Sequence, residues 1–92
     1  MCKPLSNECV PTTTPEAELF GRTLRRLRQE QGLTQERFAA SANLTTGFVN
    51  GLELGYKTPG LLTILKLAHA LGVTPSDLLS DFTPTAVRRL VG

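Results

Sequence analysis

Two helix-start signals, a reversal and a stop are crowded between Leu33 and Gly55, LTQERFAASANLTTGFVNGLELG, leaving room only for two short helices and a tight turn. Thr34 is a good N-cap, because its hydroxyl can accept from an orphan amide of the first turn. Phe38, Ala39 and Ala42 then recur at helical spacing on one face. Asn43 falls where the chain must reverse, and Asn tolerates the left-handed conformation better than any residue except Gly. Thr45 caps the next helix, Phe48, Val49 and Leu52 give it an apolar stripe, and Gly55 stops it. A rigid helix pair this short presents its second helix outward, most often to the DNA major groove.

One competing signal lies inside that second helix. Asn50-Gly51 is a strong hairpin dipeptide, flanked by Phe48-Val49 and Leu52-Glu53-Leu54. The strands it would join are too short to stand alone, and the Thr cap and Gly stop both favour helix. Gly47 and Gly51 each cost that helix roughly 1 kcal/mol relative to Ala, so tertiary packing must hold it.

The rest of the chain is partitioned by four Thr-Pro pairs. Thr as N-cap with Pro at the first helical position is a sound start signal, since Pro there loses no needed donor. Thr14-Pro15 starts a helix to about Gln31, with Leu19, Phe20, Leu24 and Leu27 on one face and Gly32 as stop. Thr58-Pro59 is followed by Gly60, which delays the next start to Gly60 or Leu61; that helix runs through Ile64, Leu67, Ala68 and Leu71 to Gly72. Thr74-Pro75 starts a short helix to about Ser80, with Asp77 placed for a capping box. Thr83-Pro84 starts a last turn or two through Ala86, Val87, Leu90 and Val91. No segment alternates with period two, so no sheet is expected. The reading is all-α: a flexible arm (1–13), a five-helix domain (14–80) and a short C-terminal tail (81–92) that can form a short helix.

A chain of 92 residues with 40% hydrophobic content builds one small core, and 5% aromatics without Trp make that core mostly aliphatic. No apolar run reaches the roughly 20 residues that span a bilayer, and MCKPLSNECV has no apolar signal-peptide stretch. The expectation is a cytoplasmic protein. A net charge of +2 does not by itself announce a nucleic-acid partner. Arg22, Arg25, Arg26 and Arg28 share one helix with Glu16 and Glu18 in its first turn. That order suits the helix dipole and also allows a basic surface.

Cys2 and Cys9 match no zinc spacing, and they read as two thiols in the arm. His69 has no partner at ligand spacing and reads as a surface residue. Arg88-Arg89 read as solvated charges in the tail. No nucleophile–base pair, paired carboxylates or phosphate-binding Gly-rich loop is present, so there is no basis for catalysis, a metal or another cofactor, and no small-molecule ligand is evident.

Gly32-Leu33-Thr34-Gln35, Phe38-Ala39, Val49-x-x-Leu52-Glu53-x-Gly55, Pro59 and Leu71-Gly72-Val73 stand in an order and spacing that resemble the phage lambda and 434 repressor/Cro family, the XRE-type helix-turn-helix domain. The resemblance covers about Leu19 to Leu79. It implies a five-helix domain with Thr34 to Ala42 as helix two and Thr45 to Leu54 as recognition helix, crossing closely at small Ala39. The family usually has Gly at the turn, where this chain has Asn43.

By the same resemblance, Arg28 and Glu53 fall where relatives carry an internal ion pair; spacing alone would put Arg28 on the surface. Thr34, Gln35, Lys57 and Thr58 match positions that contact DNA phosphates, which set affinity and register. Base reading falls to Thr45, Thr46, Gly47, Asn50 and Gly51. Thr46 suits a thymine methyl and Asn50 suits adenine. Glycines at two reading positions, with no Arg on the helix, shift weight towards DNA shape and backbone contacts. Leu62 is an extra apolar residue suited to a dimer contact.

The function implied is a transcriptional regulator binding double-stranded operator DNA as a homodimer, its two recognition helices entering successive major grooves. In size the chain resembles Cro-like repressors and restriction-modification controller proteins. The alternative is an interaction module, such as an antitoxin, that binds a partner protein and engages DNA weakly or by shape.

Overall fold

The computed structural model describes residues 13–92. Cys2, Cys9 and nearly all of the expected arm therefore lie outside the described residues. Six helices follow in order: α1 (Pro15–Glu30), α2 (Gln35–Ala42), α3 (Thr46–Leu54), α4 (Leu61–Leu71), α5 (Pro75–Leu78) and α6 (Pro84–Val91). No strand occurs among the described residues, so the hairpin signal at Asn50-Gly51 loses to the helix around it. The count exceeds the expected five because the tail after Thr83 completes a helix of its own.

Threonine starts most of these helices. The hydroxyls of Thr14, Thr34, Thr45, Thr74 and Thr83 each accept from the amide three residues on, at 3.1–3.2 Å. At Thr74 the bond is reciprocated, with the Asp77 carboxylate accepting from the Thr74 amide at 3.0 Å, a full capping box. Thr58 does not cap α4, whose N-cap is Gly60, with no side-chain bond. Intervening Pro59-Gly60 carries the chain one step further before helical geometry begins.

The helix ends follow one pattern. After α2 the chain turns through Asn43 in the left-handed region (φ 58°), and the Leu44 amide donates back to the Ala39 carbonyl at 2.9 Å. After α3, Gly55 (φ 85°) does the same, and the Tyr56 amide reaches the Gly51 carbonyl at 2.9 Å. These closures satisfy carbonyls that a helix end otherwise leaves bare. Asn43 pays a small conformational penalty for the position, while at Gly55 a Cβ would lie 2.7 Å from Cγ of Glu18, so glycine is required twice over.

One apolar core holds the helices. Leu24 of α1, Phe38 of α2, Val49 and Leu52 of α3, Leu67 of α4 and Leu78 of α5 are fully buried, and Phe20, Ala39, Ala42, Ala68 and Leu71 complete the cluster. Burying side chains of this size stabilises the fold by about 1.5–3 kcal/mol each. Leu27, Leu33, Leu44, Phe48 and Ile64 seal the rim. Helix α1 approaches α3 closely at Gly21, where a Cβ would stand 2.4 Å from the Leu52 carbonyl oxygen and 2.5 Å from that of Glu53. Glycine lets α1 press directly on the backbone of α3.

Polar ties close the periphery. The Gln31 side-chain amide donates to the Leu71 carbonyl at 2.6 Å, joining the ends of α1 and α4. Buried Thr23 donates its hydroxyl to Asp81, which also pairs with Arg26 at 3.5 Å and so fastens the start of the tail to α1.

Candidate nucleic-acid interface

Helix α3 is amphipathic in a way that fixes which side can meet a partner. Val49, Leu52 and Glu53 face inward and are buried, whereas Thr45, Thr46, Gly47 and Asn50 are exposed. The N-terminal half of α3, with its cap, therefore carries two threonine hydroxyls and methyls, a stretch of bare backbone and one carboxamide. Thr45 is partly occupied, because its hydroxyl caps the Phe48 amide.

A continuous polar network holds this helix against α2 and α1. Arg28 donates from Nε to Glu53 Oε2 at 2.6 Å and from Nη2 to Glu53 Oε1 at 3.1 Å. Its Nη1 donates to the Leu33 carbonyl at 2.7 Å. Gln35 Nε2 in turn donates to Glu53 Oε1 at 3.0 Å and to Asn50 Oδ1 at 3.2 Å. Arg28 and Glu53 are only 8% and 7% exposed, so this is a desolvated, bidentate pair rather than a surface contact.

The network reaches the surface at Gln35 and Asn50. Gln35 uses its amide protons to hold Asn50 from behind, and one lone pair of the Asn50 carbonyl oxygen remains for another donor. The Asn50 amide group also stays free to donate. Thr34 is exposed beside Gln35 at the start of α2, with its hydroxyl bonded to the Arg37 amide.

Lys57 and Gly51 are brought together in a way the sequence did not suggest. Lys57 folds back from the loop after α3, and a Cβ at Gly51 would lie 3.1 Å from its Cδ and Cε and 3.2 Å from its Cγ. Its ammonium sits 5.9 Å from the centre of the Phe48 ring. Gly51 is buried, with the Lys57 side chain lying over it. Gly47 differs, with nothing within 4 Å of where a Cβ would stand. Thr58 is exposed in the same loop.

The arginines of α1 do not act as one basic surface. Arg28 is buried, and Arg26 is paired with Glu30 at 3.7 Å and with Asp81. Arg22 and Arg25 remain exposed, as does His69. Three leucines on α4 form an exposed apolar run, Leu61 at 74%, Leu62 at 65% and Leu65 at 46%. Among the described residues no cluster of metal-ligating side chains occurs, and no helix is long and apolar enough to cross a membrane.

A capped helix, a left-handed turn and an outward second helix locked to the first define a helix-turn-helix DNA-binding module. The helix-turn-helix family model HTH_3 matches residues 24–78, from the core of α1 to the end of α5. The chain belongs to this family, the XRE-type, lambda repressor-like class of DNA-binding transcriptional regulators. It is 38% identical over 73 residues to the uncharacterized HTH-type transcriptional regulator y4dJ of Sinorhizobium fredii, covering 77% of this chain and 95% of the relative. It is 38% identical over 66 residues to the control protein C.BamHI of Bacillus amyloliquefaciens, covering 71% and 80%. Among solved structures it is similar to the restriction-modification controller protein C.AhdI of Aeromonas hydrophila, with a TM-score of 0.68, 41% identity, and coverage of 68% of this chain and 96% of that one.

Proposed function

We propose that this regulator acts in the cytoplasm as a homodimer on an inverted-repeat operator in double-stranded DNA, with residues 14–80 as the DNA-binding unit and 81–92 as an appended tail. The observation that carries the reading is the network from Arg28 through Glu53 and Gln35 to Asn50. It fixes the recognition helix from behind and orients its one carboxamide, as preorganised base reading requires.

Thr45, Thr46 and Asn50 face base edges in this arrangement. Thr46 offers its methyl to thymine and Asn50 pairs with adenine, while Gly47 admits close approach of the backbone. Thr34, Gln35 and Thr58 meet phosphates on either side of the groove, which sets register and makes affinity fall with salt. The exposed leucines of α4 supply the apolar surface through which two copies join, placing two recognition helices about one helical turn apart. The relatives named as a control protein and as a restriction-modification controller protein support a controller-type role, in which the amount of protein sets the response.

Selection of bound duplexes from a random pool, repeated at two salt concentrations, tests this reading. Enrichment of an inverted repeat is the expected result. Binding without sequence preference, or enrichment of a lone half-site by a monomer, would overturn it.

A further inference from the structure

We propose that Lys57 is a base-reading residue, supplying from the loop the cationic side chain that the recognition helix lacks and selecting guanine at one position of each half-site. The inference rests on the DNA-binding reading above and departs from the phosphate contact that the position of Lys57 in the loop suggests.

Three observations lead to it. Helix α3 carries no Lys or Arg among Thr46 to Leu54, so none of its own side chains can make a charged contact to guanine. Its two glycines leave bare surface. At Gly47 that surface is open, and at Gly51 it is filled by the aliphatic part of Lys57, packed at van der Waals distance along the helix. The ammonium is thereby carried back along α3 to Phe48, in the N-terminal half of the helix. That half is the part which approaches base edges when such a helix enters the major groove.

The packing is chemically selective. Lysine methylenes cover apolar surface while the charged head stays in water, and the face of Phe48 attracts the cation and narrows where it can point. A Cβ at position 51 would press on these methylenes and make Lys57 give by a few tenths of an ångström, so a longer side chain there competes for the same slot. Guanine presents two acceptors in the major groove, O6 and N7, to such a donor, and no other base pair presents that pair. An ammonium held over the helix, in place of one swinging free in the loop, meets base edges before it meets the flanking backbone.

The test pairs the full chain with Lys57→Met, which retains the methylene packing and removes the charge, each used for selection from the same random pool. The unchanged protein is expected to enrich a motif with guanine at one fixed position of each half-site, and Lys57→Met to lose that preference alone. Replacing that guanine by 7-deazaguanine, which lacks the N7 acceptor, is expected to weaken the unchanged protein by roughly five- to a hundredfold and to leave Lys57→Met unaffected. If Lys57→Met keeps the full motif and binds every sequence more weakly by one common factor, Lys57 contacts phosphate and the inference falls. If the unchanged protein enriches no motif, the reading of function falls first and this inference with it.

Discussion

The guanidinium of Arg28 and the carboxylate of Glu53 meet side-on, at 2.6 Å and 3.1 Å, and join α1 to α3 with both side chains buried. Each nitrogen of the guanidinium and each oxygen of the carboxylate has a partner, Nη1 through the Leu33 carbonyl and Oε1 additionally through the Gln35 amide. Such hydrogen bonding is what makes a buried ion pair tolerable, and removing one partner exposes the desolvation cost of the other.

Glu53→Ala is accordingly expected to lower unfolding free energy by about 3–5 kcal/mol, since it strands the Arg28 charge. The double variant Arg28→Met, Glu53→Leu should recover most of that loss. Urea unfolding of the three proteins checks both statements, and equal losses in the single and double variants would show that the pair is not what holds α1 to α3.

Glycines at two helical positions should respond with opposite sign. Gly21→Ala drives a Cβ into the backbone of Leu52 and Glu53, so it should destabilise by about 1–3 kcal/mol despite the better helix propensity of Ala. Gly47→Ala meets nothing and should stabilise by up to about 1 kcal/mol. Thermal unfolding separates the two.

Thr46→Ala and Gln35→Ala act on the readout by different routes. The first should reduce preference at one base pair of each half-site by about 1 kcal/mol, through loss of the methyl and hydroxyl contact. The second removes the support behind Asn50 and should blur a different position, the adenine proposed to be read by Asn50. It should also lower overall affinity, in keeping with the phosphate contact proposed for Gln35. Binding to single-substituted operators measures both effects.

Leu62→Glu places a charge in the exposed α4 face without touching the core. Self-association should weaken by about tenfold or more, about 1.4 kcal/mol, as followed by sedimentation equilibrium, while helical content stays constant.

Local signals were legible in the sequence and distant ones were not. Thr34, Thr45 and Gly55 act over three or four residues, so their chemistry is written beside them, and Asn43 announced its left-handed turn by type alone. Arg28 is the opposite case. Its position along α1 reads as surface, and only the family resemblance pointed to Glu53, which is 25 residues away. Gly21 carried a signal that went unread: a glycine inside an otherwise good helix weakens it unless another backbone needs the space. Lys57 over Gly51, Gln31 on Leu71 and Thr23 on Asp81 depend on where separate helices come to rest, which no spacing rule contains. The tail helix was legible as a local signal: Thr83-Pro84 marks its start, and Ala86, Val87, Leu90 and Val91 lie in the turn or two that α6 completes.

None of the side chains of α6 is buried, although α1 beside it is fixed in the core by Phe20, Thr23 and Leu24. Adjacent parts of one small protein therefore have separate stabilities. Hydrogen exchange at α6 amides should proceed by detachment of the tail, an opening that needs far less free energy than global unfolding, whereas amides in the centre of α1 should exchange only when the whole molecule opens. A change such as Glu53→Ala should quicken the second set and leave the first at its original rate, so that the last turn of the chain keeps its own clock.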